Sequence, residues 1–187
     1  MHPHSAVRPP HVRTGLGVAL HHRPDTTTHV RPGLEVAGRL GADSVAQHRR
    51  AAVGPWVREA DVLLVAGGDA MYLCHWMRQS GLADLLPSLQ DTVWVGLSAG
   101  SMVMTPRIGD DFVEWTSPNG GDSTLGVVDF SIFPHLGHLP DNTMAAATRW
   151  AAEIAGPAYA IDDQTAIKVT DGTVEVVSEG HWKLFAS

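Results

Sequence analysis

The stretch Val93-Trp94-Val95-Gly96-Leu97-Ser98-Ala99-Gly100-Ser101-Met102-Val103-Met104 decides the fold. Three residues of high β preference lead into Gly-Leu-Ser-Ala-Gly, and a helix-compatible run follows, so Ser98 is expected on a strand-to-helix turn. Small residues on either side permit the sharp bend that lifts the serine Oγ clear of the backbone. The N–H of Ala99, at the helix start, would then face an oxyanion forming at that hydroxyl. The pattern predicts nucleophilic acyl transfer, although glycines also punctuate ordinary strand-to-helix connections, so the rest of the chain must supply the partners.

Working outward, residues 61–66 (Asp-Val-Leu-Leu-Val-Ala) read as a short buried strand followed by Gly67-Gly68-Asp69. The apolar-periodic segment 70–80 then reads as a helix stopped by Gly81. A second strand is expected over 92–97, and the spacing of about 30 residues between the two strand-turn-helix units suits a parallel βαβ construction. Further strands are expected over 127–133 and 159–161, an Ala-rich helix over 142–154, and β alternation over 166–185 with a hairpin at Asp171-Gly172. The fold class is α/β, a mostly parallel sheet flanked by helices with a C-terminal β-hairpin.

With 187 residues and 44% apolar content, one domain with a substantial core is expected. A net charge of −7 disfavours a polyanion binder. No apolar run reaches the roughly 18 residues of a membrane span, and Met1 leads into Pro and His rather than a signal-peptide core. The expected setting is therefore cytoplasmic, with neither nucleic acid nor membrane as partner. Cys74 has no second cysteine to pair with, and Cys74-His75 lacks metal-ligand spacing, so both read as helix residues. Residues 1–50 stand apart, with seven Arg, seven His and five Pro against three acidic residues. They read as an atypical segment, weakly ordered or peripheral, with 51–187 forming the α/β domain. His2, His4, His11, His21 and His22 have no accompanying acidic cluster, so neither metal nor cofactor is assigned.

Ser98 needs a base and an orienting acid. His135 follows the expected strand and Pro134, which places it at a strand's carboxyl end, where ligands gather in parallel sheets. His138 is its competitor. Asp162 or Asp163, after the strand at 159–161, could hold the imidazole, and Asp110 and Asp111 are rivals that could instead meet a substrate amine or solvate a loop. Ser, His, acid is the chain order if Asp163 serves, which differs from the Ser, acid, His order of α/β-hydrolases.

These residues together resemble peptidase family S51, the peptidase E or aspartyl dipeptidase group that also includes cyanophycinases. Val65-Ala66-Gly67-Gly68-Asp69 resembles its oxyanion loop, Gly96-Leu97-Ser98-Ala99-Gly100 its nucleophile elbow, Phe133-Pro134-His135 its histidine segment and Ile161-Asp162-Asp163-Gln164-Thr165-Ala166 the segment of its acid. The resemblance spans about residues 56–185. It implies a Ser98-His135-Asp163 peptidase on a fold related to class I glutamine amidotransferases, with Gly68 and Ala99 as backbone oxyanion donors and short peptides as substrates. Asp69, Asp110 and Asp111 are candidate substrate-binding residues, the latter two, with Glu114, for a free α-amino group.

The chain departs from the family pattern in four places. Asp163 stands where Glu is frequent, Asp69 where Asn is common, and no Arg follows His135 closely to recognise an N-terminal aspartate, leaving Arg149 as the nearest replacement. At the front, no sheet-starting apolar strand is visible. Loss of such a strand would expose a sheet edge and favour self-association into a homo-oligomer. The alternative to a peptidase is a catalytically degenerate member acting as a binding protein or scaffold.

Overall fold

The computed structural model describes the backbone of residues 17–21 and 36–40 together with residues 57–186. At its centre, β3 (Val62–Val65) and β4 (Val93–Gly96) pair in parallel with Leu63 opposite Trp94. Between them run α1 (Ala70–Ser80), the short α2 (Leu82–Leu85) and a 3-10 turn (Leu86–Ser88). The ends of α1 are chemically defined. Asp69 accepts the Tyr72 N–H as N-cap, and Gly81, at φ 79°, takes the left-handed conformation that stops the helix. Leu73, Cys74 and Met77, spaced to share one face of α1, pack with Leu63, Val65, Trp94 and Met104 into a buried cluster.

The larger sheet has the order β2 (Val36–Leu40), β3, β4, β1 (Gly17–His21), β7 (Thr165–Thr170), β8 (Thr173–Ser178). β2–β3, β3–β4 and β1–β7 are parallel, while β1–β4 and β7–β8 are antiparallel. A second sheet joins β5 (Ser131–Phe133) to β6 (Ala158–Ile161) in parallel and β6 to β9 (Trp182–Phe185) antiparallel. The α/β class and the parallel strands agree with the sequence reading, but the strands divide between two sheets, and each ends on an antiparallel partner. β7 turns into β8 through Asp171 and Gly172, whose φ values of 50° and 77° suit a two-residue hairpin turn.

Two expectations change. No sheet strand was visible in residues 1–50, yet β1 lies between β4 and β7 and β2 at the sheet edge. Each is a five-residue segment interrupted or opened by glycine, too short to show a period. The strand expected over 127–133 is confined to β5. Val127 and Val128 both donate to the Met104 carbonyl, so their backbone groups serve a turn rather than a ladder.

The two sheets share a core. Ile132 of β5, Ile161 of β6 and Ile167 and Val169 of β7 bury together with Val128 and Phe130. α4 (Met144–Ile154), capped by Thr143 at the Ala146 N–H, covers the other side of β5 and β6 through Ala147, Trp150 and Ile154. Trp150 is fully buried and donates Nε1–H to the Ile108 carbonyl at 2.7 Å. Removing that ring is expected to cost about 3–5 kcal/mol.

Candidate active site

Ser98 joins β4 to the single-turn α3 (Ala99–Met102) with φ 51° and ψ −114°, a backbone conformation that L-residues rarely adopt. Such strain persists only where the surroundings over-determine it, at a cost of about 1–3 kcal/mol. Here the surroundings are specific. A Cβ on Gly96 would strike the Gly100 carbonyl, and one on Gly100 would strike the Val65 carbonyl of β3. Leu97 N–H extends the β3–β4 ladder to the Val65 carbonyl at 2.8 Å, Ser101 Oγ donates to the Gly96 carbonyl at 2.7 Å, and Trp94 Nε1–H donates to the Gly100 carbonyl at 3.0 Å. The hydroxyl of Ser98 makes no cap bond to its own helix. Gly67 runs alongside, where a Cβ would lie 3.4 Å from Ser98 Cβ, and Gly68 adopts φ 133°, which glycine tolerates.

His135 and Asp163 come together where β5 and β6, parallel neighbours with Phe133 opposite Ala160, give way to turns past their carboxyl ends. Each residue lies just past the carboxyl end of its strand, and His135 Nδ1 is 2.8 Å from Asp163 Oδ1. His135 sits at φ 56° in a turn tied by Leu136 N–H to the Ile161 carbonyl and by Asn142 Nδ2–H to the Pro134 carbonyl. With Asp163 on Nδ1, the imidazole presents Nε2 away from the carboxylate. His138 reaches the other carboxylate oxygen, its Nδ1 3.2 Å from Asp163 Oδ2, so it shares the acid rather than replacing His135. Ser98 Oγ has no hydrogen bond to His135 in this structure among the described residues. Their elements nevertheless touch, since α3 packs on β5.

Asp162 is used differently. Its carboxylate accepts from Thr165 Oγ1 at 2.7 Å, from Gln164 N–H and from the His181 N–H, bracing the β6–β7 turn against β9. Burial alone would raise this carboxyl, but those hydrogen bonds and the His181 imidazole outweigh it and hold the group below its ordinary value.

Asp69, expected among the substrate-binding residues, instead spends both oxygens on backbone. Oδ1 accepts Tyr72 N–H and Oδ2 accepts Trp115 N–H, each at 2.7 Å. Asp110 and Asp111 lie exposed on a 3-10 turn (Asp110–Phe112), and Arg149 is exposed on α4. Burial pushes the Cys74 thiol up against the pull of Arg78, which leaves it a core residue. The locking roles of Ser101, Asn142 and Asp69 escaped the sequence reading, because a hydroxyl, amide or carboxylate bonded to backbone carries no pattern of its own. A cavity of about 1000 Å³ lined in part by Trp94, Met104, Phe130 and Val174 opens elsewhere and includes none of Ser98, His135 and Asp163. No group of three or more potential metal ligands occurs among the described residues, and no helix among them is long and apolar enough to cross a membrane.

A strained serine elbow above a parallel strand pair, with a histidine–carboxylate pair at neighbouring strand ends, is a hydrolase arrangement on an α/β fold. Residues 27–177 match the model of Peptidase family S51, and the chain belongs to that family. Among solved structures it is similar to a 1.5 Å crystal structure of a candidate peptidase E protein from Listeria monocytogenes EGD-e. The TM-score is 0.58 at 22% identity, covering 73% of this chain and 68% of that one, a likeness of fold. Comparison with curated proteins gave no match.

Proposed function

We propose that the chain is a serine peptidase that hydrolyses dipeptides or short peptides through Ser98, His135 and Asp163, on a fold of the class I glutamine amidotransferase kind. The observation that carries this reading is the 2.8 Å contact of His135 Nδ1 with Asp163, which leaves Nε2 to serve the hydroxyl on the strained elbow. His135 Nε2 takes the Ser98 proton as Oγ bonds to the peptide carbonyl carbon, and the N–H groups of Gly68 and Ala99 stabilise the oxyanion. Collapse breaks the C–N bond, and His135 returns the proton to the leaving amine. A water, deprotonated by His135, then attacks the acyl-enzyme and regenerates Ser98. Asp163 orients His135 and stabilises its protonated form, while Asp110 or Asp111 receives the substrate α-ammonium. Asp can replace the longer Glu because β5 and β6 already bring residues 135 and 163 into contact. The reading places the enzyme in the cytoplasm.

The test is hydrolysis of a panel of dipeptides and amino-acid amides by wild type and Ser98→Ala, both shown to be folded by circular dichroism. Release that disappears in Ser98→Ala is expected. Equal release by the two proteins, or none by folded wild type, would overturn the reading, the latter in favour of a binding protein or scaffold.

A further inference from the structure

We propose that Tyr72, His75 and Trp115 form the subsite for the side chain of the substrate's acyl residue, and that it selects aromatic and large apolar side chains over acidic ones. This deepens the peptidase reading and rests on it. Asp69 is the last residue of the Val65–Asp69 loop segment. Its two oxygens bind the Tyr72 and Trp115 N–H groups at 2.7 Å, so it fastens the 113–116 segment to the first turn of α1. Two donors converging on one side chain require acceptors at both oxygens. A carboxylate provides them, whereas Asn would turn an NH₂ donor toward one of them. The Asp that departs from the family's frequent Asn thus serves to hold Trp115 in place.

Trp115 packs on the buried cluster of Ala70, Met71, Ala99 and Met102, which contains the residue next to Ser98. Its ring meets Tyr72 edge-on at 5.5 Å between centroids and His75 at 5.1 Å. Tyr72 and His75, three apart on α1, share a helix face, and all three rings remain half-buried. The result is an aromatic wall with accessible surface, joined through Trp115 to the cluster that holds Ala99. An aromatic substrate side chain gains edge-to-face contact and apolar burial there. An acidic one meets no arginine in this wall among the described residues, where Arg78, on the same helix, donates to the Thr124 carbonyl. It also meets the negative field of Asp110, Asp111 and Glu114 from the segment leading to Trp115.

The experiment compares kcat/KM for Phe-, Ala- and Asp-initiated dipeptides in wild type, Trp115→Ala and Asp69→Asn, with Trp182→Ala on β9 as a tryptophan control outside the aromatic wall. Wild type is expected to favour Phe over Asp. Trp115→Ala should lower the Phe-to-Ala ratio about tenfold, Asp69→Asn should lower it less, and Trp182→Ala should leave it unchanged. A preference for Asp, or an equal loss for every substrate in Trp115→Ala, would overturn the subsite while the peptidase reading stands. If no peptide is cleaved in a Ser98-dependent way, that reading falls and the subsite is judged by calorimetric titration of the folded protein with phenylalanine amide and aspartate amide. Tighter binding of the former, weakened in Trp115→Ala, would sustain the aromatic subsite; equal or absent binding would overturn it.

Discussion

The serine elbow and the histidine–aspartate corner are both tight turns with a non-glycine residue at positive φ, Ser98 at 51° and His135 at 56°, yet different forces hold them. At the elbow steric exclusion adds to the hydrogen bonds made by Leu97, Ser101 and Trp94. Gly96 and Gly100 are buried with backbone carbonyls where a side chain would go, so the strand, turn and helix admit little adjustment. At the corner the restraint is polar, a set of hydrogen bonds around residues 134–142 and a carboxylate shared by two half-exposed to exposed histidines. One half of the site is thus fixed by what cannot fit as well as by what is bonded, the other by bonds. Substitutions should therefore separate folding from chemistry.

The largest effect is expected from Ser98→Ala, which removes the proposed nucleophile and should lower kcat by about 10⁴-fold or more without loss of fold. Thermal unfolding measured beside turnover checks both halves. A parallel collapse of Tm would mean that the hydroxyl is structural and would break the contrast. Ser98→Gly sharpens it, since relief of the backbone strain should stabilise the fold by about 1 kcal/mol while activity is still lost.

Next, Asp163→Asn should lower kcat by about 10³- to 10⁴-fold, because an amide can hold the imidazole in the wrong tautomer and cannot stabilise the imidazolium. Its Tm should stay close to wild type, since the wild-type carboxylate is 37% exposed. Gly100→Ala should show the opposite signature. The added methyl meets the Val65 carbonyl, so destabilisation of about 3 kcal/mol in denaturant titration is expected. A Gly100→Ala protein of wild-type stability would show that the elbow is less tightly packed than its geometry says.

Much of this was legible in the sequence where local signals and spacing coincide. The elbow announces itself because steric necessity writes glycine at fixed positions around the serine, and α1 because Asp69 and Gly81 punctuate an apolar-periodic run. The choice between Asp162 and Asp163 was open, since adjacent residues at a strand end point to opposite sides and sequence alone gives no register. The pairing of Phe133 with Ala160, continued, would set His135 against Asp162; the turn at His135, at φ 56°, leaves that register, and its Nδ1 meets Asp163. β1 escaped because a five-residue strand with a glycine start acquires its place from β4 and β7, which lie far along the chain. The dual role of Asp69 escaped because Trp115 is 46 residues away.

The smallest effect belongs to Asp162, the carboxylate beside the acid that the chemistry is proposed to use. Its bonds from Thr165, Gln164 and His181, with the His181 imidazole at 3.6 Å, outweigh burial and keep its folded-state pKa below the ordinary 3.8. A group whose pKa is depressed by folding contributes stability above its unfolded value, and that contribution fades as pH falls through the folded one. Asp162→Asn removes this linkage while keeping the size of the side chain. The variant should unfold at lower temperature than wild type near neutral pH, and the gap should narrow as pH is lowered from about 5 to about 2. Turnover by the folded variant at neutral pH should remain within a few-fold of wild type, in contrast to Asp163→Asn. A gap that persists unchanged into acid would mean that the Asp162 charge contributes nothing beyond its hydrogen-bonding shape.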